Sequence, residues 1–116
     1  MSASVSKPTD SADVVILGGG AAGFFAAANL GQMAAGINIM LVEQGREVLQ
    51  KVKISGGGRC NVTHACWDPA DLVKYYPRGE KELLGPFHKF ACGDTVAWFE
   101  ERAVPLKAEE DGRMFP

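Results

Sequence analysis

The sequence of 116 residues is long enough for one compact domain, and its 47% hydrophobic content is enough to fill a core of that size. The net charge of −2, with both signs intermixed, gives no basic face, so we expect no nucleic-acid partner. The longest apolar stretch, residues 14–30, is interrupted by glycines and an asparagine and does not indicate a membrane span. The 3 cysteines form no CxxC pair, which favours a reducing, cytoplasmic compartment.

The first part of the chain predicts a leader followed by a βαβ unit. Residues 1–11 have one lysine and no apolar block, so they lack the regions of a secretory signal and are interpreted as a disordered leader. Beyond them, residues 14–17 form a short β-branched run, a glycine turn follows, and an alanine-rich helix extends to near Met33. Residues 37–42 are apolar on both faces, as a buried parallel strand requires, and complete the unit.

The second half of the chain predicts helices and a final hairpin. Asp68 followed by Pro69 is typical of a helix start, and Asp111-Gly112 is a strong hairpin turn signal. The predicted elements are a short helix at residues 46–53, an open glycine loop at 55–61, helices beginning at Asp68, Glu80 and Asp94, the second of them interrupted by Gly85-Pro86, and strands at 104–109 and from Arg113.

The first glycine cluster has the spacing of a dinucleotide-binding turn. Gly18, Gly20 and Gly23 follow a buried strand directly and open a helix. Gly18 permits the tight turn, Gly20 leaves room for a pyrophosphate, and Gly23 lets the helix approach the strand. The N–H groups at the helix start, those of Ala21 and Ala22, would face the pyrophosphate, with the helix dipole adding to the attraction.

An acidic residue stands at the end of the second strand, where this fingerprint requires one. Glu43 would accept hydrogen bonds from the hydroxyls of an adenosine ribose, and its negative charge would repel a 2′-phosphate. This excludes NADP at the turn but leaves both NAD and FAD open. The alternative interpretation is a purely structural strand-to-helix turn in which Glu43 is a solvated carboxylate.

A second glycine cluster occupies residues 55–61, which read Ser-Gly-Gly-Gly-Arg-Cys-Asn. Consecutive glycines can adopt positive φ and leave the backbone unshielded, so this loop can wrap an anion or lie against a flat ring. A flexible surface linker is the alternative. The flanking Lys-Ile and Arg-Cys-Asn residues are not typical of linkers and favour a binding loop.

Residues 51–63 resemble the signature of the aminoacetone-oxidase-type family of FAD-binding flavoproteins, also called BaiN-like or YhiN-like NAD(P)/FAD-dependent oxidoreductases. Residues 90–116 are similar to a later landmark of the same family. The resemblance implies an α/β, Rossmann-like FAD-binding domain of the glutathione-reductase type, of which residues 12–116 are the amino-terminal part and which is incomplete in this chain. Two positions depart from the family pattern: His64, and Ala103 in place of a glycine, which suggests a helix exit that avoids positive φ.

The resemblance and the two clusters together predict a flavin-dependent oxidoreductase that transfers hydride through the isoalloxazine, with NAD(P)H as a candidate electron donor. The candidate cofactor-binding residues are Gly18, Gly20, Ala21, Ala22, Gly23, Glu43, Gln44, Lys51, Ser55, Gly56, Gly57, Gly58, Arg59, Cys60 and Asn61. No residue has the pattern of a catalytic acid or base, and no metal site is predicted. We expect a small-molecule substrate, no membrane partner, and a requirement for the remainder of the chain to complete the domain.

Two other functions remain open from the residues alone. One is an NAD-binding dehydrogenase module with Glu43 on the ribose of the nicotinamide cofactor. The other is a non-enzymatic flavin-binding or electron-transfer module. A redox disulfide between Cys60 and Cys66 is not favoured, because their spacing does not match the CxxC or CxxxxC pairs of flavin-disulfide reductases.

Overall fold

The computed structural model describes residues 11–116, which divide into two compact units, one up to Lys51 and one from Val52 to Pro116. The predicted leader falls almost wholly on residues 1–10, outside the described residues. Its last residue, Ser11, has an ordered contact, since its carbonyl oxygen accepts a 2.7 Å hydrogen bond from Asn38 Nδ2.

The first unit is the predicted βαβ arrangement. Strand β1 (Val14–Leu17) leads through helix α1 (Ala21–Met33) to strand β2 (Ile39–Val42), and the two strands pair in parallel. Strand β2 begins two residues later than predicted. The reason is that the chain is still turning at Gly36, which has φ +79°, and the Ile37 N–H donates to Ala34 O at 3.3 Å.

Helix α2 (Gln50–Gly58) also starts later than the predicted helix at residues 46–53. Residues 44–49 form bends, and Leu49 has φ +56° and donates its N–H to Gly19 O at 2.7 Å, which delays the start of the helix to Gln50. Helical geometry ends at Ser55 (φ −61°, ψ 148°), where the predicted glycine loop begins.

The second unit packs short helices against a small antiparallel sheet with strand order β3-β5-β4. Its elements are β3 (Thr63–His64), α3 (Pro69–Leu72), a 3-10 turn (Val73–Tyr75), α4 (Glu80–Lys89), α5 (Cys92–Glu100), β4 (Lys107–Ala108) and β5 (Arg113–Phe115). Its buried side chains are Leu72, Val73, Cys92, Met114 and Phe115. The core of this unit therefore lies between the helices and the central strand β5.

The structure confirms one of the two predicted capping residues and corrects the other. Asp68 caps α3 as predicted, with its carboxylate accepting the Ala70 N–H at 2.9 Å. Asp94 is not a cap: α5 begins after Ala91, and Asp94, in its first turn, accepts the Ala91 N–H at 2.8 Å. A carboxylate in the first turn can reach back to an unpaired N–H, so Asp94 stabilises the same helix end from inside the helix.

The prediction that Gly85-Pro86 interrupts the second helix is wrong, because α4 continues through Pro86. Proline removes the hydrogen bond to the carbonyl four residues earlier, that of Glu82, and its ring crowds that carbonyl. Glu82 is exposed, so its carbonyl can tilt toward solvent while the helix continues. The prediction for Ala103 is also wrong, since its φ is +61°. Val104 N–H donates to Phe99 O and Ala103 N–H to Glu100 O, both at 3.0 Å, which is the Schellman pattern that places one left-handed residue after a helix.

The carboxyl-terminal hairpin is confirmed. Strand β4 pairs antiparallel with β5, and Gly112 in the turn has φ +86° while its N–H donates to Glu109 O at 2.9 Å. The first hairpin strand is shorter than the predicted 104–109. Pro105 has no N–H to contribute to a ladder, which limits the pairing to the residues after it.

Candidate functional site

The turn between β1 and α1 has the geometry that the first glycine cluster predicts. Gly18 has φ +108° and donates its N–H to Val42 O at 2.7 Å. A Cβ on Gly23 would overlap the carbonyl oxygen of Gly18, so only glycine allows the helix this close to the strand end. A Cβ on Gly20 would meet nothing within 4 Å, which leaves an open space directly in front of the helix.

The amino-terminal end of α1 is suited to an anion. Its first N–H groups, those of Ala21 and Ala22, precede any helical carbonyl with which they could bond. Gly20 provides no side-chain cap, and the first turn has no acidic residue. The positive end of the helix dipole is therefore unopposed by any side chain of the helix itself.

Glu43 holds this turn in place from the end of β2. Its Oε2 accepts the Gly19 N–H at 2.7 Å, and its Oε1 accepts the Gly45 N–H at 2.9 Å. Hydrogen bonds from the backbone of Gly45, of Gly19 and of Gln44 hold the pKa of the Glu43 carboxyl below its ordinary value. A carboxylate has about four acceptor positions, so Glu43 retains acceptor capacity for a ligand while it braces the turn.

Sequence reasoning missed the contact between Glu43 and Gly19. The signal was available in the middle glycine of the cluster, which the dinucleotide spacing does not require. A Cβ on Gly19 would lie 3.1 Å from Glu43 Oε2 and 2.9 Å from Val48 Cγ1. Gly19 is thus constrained by the side chains of Val48 and Glu43.

A hollow of about 430 Å³ lies at the carboxyl ends of the two parallel strands. It is lined by Leu17, Gly18, Val42, Glu43 and Gln44. Ligands of open α/β sheets bind at this end of the strands. The first unit therefore brings together the predicted glycine turn, Glu43 and Gln44, whereas Lys51 is an exposed residue of α2.

The second glycine cluster has a left-handed backbone, as predicted. Gly56, Gly57 and Gly58 have φ of +60°, +72° and +87°, and Cys60 has φ +61°. A Cβ on Gly57 or Gly58 would meet nothing within 4 Å, whereas a Cβ on Gly56 would overlap the ring of Phe115. Gly56 is thus required for packing, and the other two glycines leave open backbone.

Ser55 closes this loop with its side chain and its backbone. Its Oγ donates to Val52 O at 2.8 Å and accepts the Asn61 N–H at 3.1 Å. Its carbonyl oxygen accepts the Cys60 N–H, also at 3.1 Å. Asn61 Oδ1 is buried and has no hydrogen-bond partner among residues 11–116. The second unit thus brings Ser55, Cys60 and Asn61 together at the base of the loop.

Arg59 points from the loop to the hairpin. Its guanidinium pairs with the carboxylate of Glu109 and lies 4.1 Å from the centroid of the Phe115 ring. The hydrogen bond between the two side chains raises the pKa of Arg59 and lowers that of Glu109. Sequence reasoning named neither Glu109 nor Phe115 as a partner of the loop, although both belong to the stretch at residues 90–116.

Among residues 11–116, the cysteines do not form a redox or metal site. Cys60, Cys66 and Cys92 are free thiols, and burial raises the pKa of Cys66. In the part of the chain that the structure describes, no three metal-binding side chains gather at one place. No helix in that part is long and apolar enough to cross a membrane.

Residues 12–116 match the family described as "HI0933-like protein Rossmann domain". The chain belongs to this family. The match agrees with the parallel βαβ unit and confirms the predicted α/β, Rossmann-like fold.

Curated relatives of this HI0933-like chain include two proteins named "Ribosomal RNA dihydrouridine synthase". The Escherichia coli (strain K12) protein is 36% identical over 107 residues, covering 88% of this chain and 26% of the relative. The Haemophilus influenzae protein is 30% identical over 101 residues, covering 87% and 24%. A third relative, "3-dehydro-bile acid delta(4,6)-reductase" of Clostridium scindens, is 27% identical over 101 residues, again covering 87% and 24%. The chain spans about a quarter of the length of these relatives.

Proposed function

We propose that this HI0933-like chain is the FAD-binding segment of a flavin-dependent oxidoreductase. The observation that carries the proposal is the open space at Gly20 in front of the helix, which a single Cβ would fill, together with an ionised Glu43 at the end of the neighbouring strand. These are the positions that a pyrophosphate and an adenosine ribose occupy in a dinucleotide-binding turn. The residues present therefore fit the cofactor.

The chain's own residues would bind and orient the cofactor. The N–H groups of Ala21 and Ala22 would donate to the pyrophosphate, and Glu43 would accept from the ribose hydroxyls with the acceptor positions that Gly19 and Gly45 leave free. The open backbone at residues 57–58 is a second candidate contact for the cofactor, supported by the signature at residues 51–63. When bound, FAD would supply a hydride acceptor and donor that no amino-acid side chain provides.

The names of the relatives support a reduction. A dihydrouridine synthase and a delta(4,6)-reductase both describe the saturation of carbon–carbon double bonds. We propose reduction of an unsaturated substrate, with NAD(P)H as electron donor, as the overall reaction. The narrower aminoacetone-oxidase-type, BaiN-like or YhiN-like assignment is part of this proposal and is supported by the signature at residues 51–63.

The choice of substrate is open between the classes that these names suggest, and we propose a small molecule. The mixed charges of this chain supply no basic face, so a ribosomal RNA substrate would have to be bound by other parts of the full-length protein. We also propose a cytoplasmic location, supported by the three free thiols and their lack of CxxC spacing.

Glu43 equally favours a second candidate, an NAD-binding dehydrogenase module, because the ribose contact is the same for NAD and FAD. The absorption spectrum of the purified full-length protein separates them: bands at about 370 and 450 nm are properties of bound flavin. We expect these bands, and we expect NAD(P)H to bleach them under anaerobic conditions. A colourless protein that binds NAD would overturn the FAD proposal, and bleaching only by a partner protein would favour an electron-transfer module.

A further inference from the structure

The loop at residues 55–61 adopts a conformation that the chain does not favour by itself. Three glycines and Cys60 have positive φ, and Cys60 has a side chain that makes this region costly. Such a backbone persists only when its surroundings hold it in place. The contacts that hold it therefore influence how well the loop receives a ligand.

Strand β5 contacts the loop directly. Phe115 is 6% exposed, and its ring lies so close to Gly56 that a Cβ there would be 3.1 Å from Phe115 Cζ. Just after the loop, the Val62 N–H donates to Met114 O at 2.9 Å. The loop thus lies against the last strand at its beginning and at its end.

Glu109 makes a third connection, through Arg59. These two residues are 50 positions apart in sequence, and both guanidinium Nη atoms face the carboxylate, with Arg59 Nη2 3.4 Å from Glu109 Oε2. Arg59 Nε also donates to Gly56 O at 3.3 Å. The same guanidinium therefore contacts the loop backbone, the Phe115 ring and the hairpin carboxylate.

The orientation of Glu109 is fixed from the hairpin. Its backbone N–H donates to Arg113 O at 2.8 Å, and its Oε2 lies 3.8 Å from Arg113 Nη2. The Arg59 and Glu109 side chains are 52% and 36% exposed, so their charge attraction is screened by solvent. Because two guanidinium nitrogens face the carboxylate, the pair fixes the orientation of the Arg59 side chain even though the charge attraction is weak.

We propose that Glu109 is a positioning residue for the cofactor loop and acts through Arg59. This inference rests on the proposed function and adds to it a residue outside both glycine clusters. With Arg59 paired to Glu109, the loop is ordered before the cofactor arrives, and ordering that occurs before binding does not reduce affinity. The charge of Arg59 is neutralised by Glu109, so Arg59 shapes the loop and does not attract the cofactor's phosphates.

A positioning role for Glu109 and a direct phosphate-binding role for Arg59 predict opposite changes in FAD affinity when Glu109 loses its charge. If Arg59 bound the pyrophosphate directly, removing the charge of Glu109 would free the guanidinium and strengthen FAD binding. If Glu109 positions the loop, the same substitution weakens FAD binding. The two substitutions Glu109→Gln and Arg59→Gln should then act through one contact, and their effects should not add.

The experiment measures the FAD dissociation constant of the full-length apoprotein by quenching of flavin fluorescence. The variants are Glu109→Gln, Arg59→Gln and their combination, and the matched control is Glu110→Gln, a neighbouring exposed glutamate. We expect a loss of about three- to fivefold in each of the three variants and none in the control. The visible circular dichroism of the bound flavin should change in Glu109→Gln and stay unchanged in Glu110→Gln.

Three results would overturn the inference: tighter FAD binding by Glu109→Gln, binding equal to that of Glu110→Gln, or additive losses in the combined variant. A lower apoprotein melting temperature in Glu109→Gln with an unchanged flavin dichroism would also overturn it, since Glu109 would then be only a stability contact. If wild type and Glu110→Gln both fail to bind FAD, the proposed function itself fails and takes this inference with it. If wild type binds FAD but Glu109→Gln does not behave as predicted, the proposed function still stands.

Discussion

The carboxylate of Glu43 accepts the backbone N–H of Gly19 at 2.7 Å, so the end of β2 holds the turn that follows β1. The residue that we propose to bind a ribose is therefore also part of the fold around the first glycine turn. Its second oxygen accepts the Gly45 N–H at 2.9 Å, so each carboxylate oxygen accepts a backbone hydrogen bond. Substitutions at this position should affect binding and local structure together.

Glu43→Gln should weaken FAD binding by the full-length protein about tenfold, the scale of one charge-assisted hydrogen bond. Glutamine has a single side-chain oxygen, so either Gly19 or Gly45 loses its acceptor. Titration of the apoprotein with FAD measures the effect. The control is Glu47→Gln, an exposed glutamate of the same segment; equal affinities for both variants would remove Glu43 from the site.

The contribution of Glu43 to folding should depend on pH in one direction. Its pKa is lowered in the folded state, so the contribution is fully present above the unfolded carboxyl pKa and is lost as pH falls through the folded pKa. The difference in unfolding free energy between wild type and Glu43→Gln should be constant near neutral pH and shrink in acid. Denaturant melts across this range test it, and a difference that grows in acid would contradict it.

Gly57→Val in the full-length protein should damage flavin binding far more than Gly36→Val. Both glycines have similar φ, +72° and +79°, and both have open space around a new Cβ. Their folding costs should therefore be alike, about 1–2 kcal/mol. Thermal melts report stability, and the flavin absorbance of the purified protein reports occupancy. If Gly57→Val retains flavin as well as wild type, residues 55–61 are not a cofactor loop.

Gly23→Ala should be severely destabilising. The new Cβ would overlap the Gly18 carbonyl oxygen, a backbone atom that cannot move aside without shifting the end of β1. Gly31→Ala, in the same helix, is the matched control, because its nearest neighbour would be Ile39 Cδ1 at an ordinary 4.0 Å. The control should gain up to about 1 kcal/mol from alanine's helix propensity. Chemical denaturation of both variants should show opposite signs.

Ala103→Gly should stabilise the protein by about 1 kcal/mol. Ala103 has φ +61° after α5, where glycine adopts the conformation without a steric penalty. Ala97→Gly, inside the same helix, should instead cost about 1 kcal/mol. Melting temperatures of the two variants therefore move apart. A loss of stability in Ala103→Gly would show that the Schellman geometry does not strain this alanine.

Local signals predicted much of this structure. The glycine spacing, the apolar strand runs and the Asp111-Gly112 turn depend on neighbouring residues, and the βαβ unit and the hairpin were predicted from them. The prediction that the two parallel strands are buried is wrong for this chain, in which Leu17 and Val42 are exposed. Ala103 shows where local reasoning fails. Alanine by itself disfavours a left-handed conformation. The hydrogen bonds from Ala103 and Val104 to the last helical turn nevertheless stabilise this conformation at the end of the helix.

Only those parts of the candidate site that lie within contiguous sequence motifs could be predicted. The roles of Gly18 and Gly23 in the turn follow from steric principles and agree with the geometry. The pairing of Arg59 with Glu109 did not follow, because nothing in the local sequence connects residues 50 positions apart. Only the packing of β5 beside the loop brings the two side chains together.

The contact between Gly23 and the Gly18 carbonyl also restricts how this sequence can change by mutation. Gly23 cannot accept a side chain while the Gly18 carbonyl keeps its present position, and Gly18 has φ +108°, a conformation that residues with a side chain rarely adopt. A combinatorial library should keep both glycines fixed. Diversity is better placed at exposed positions such as Glu47 and Glu110, where new side chains meet solvent.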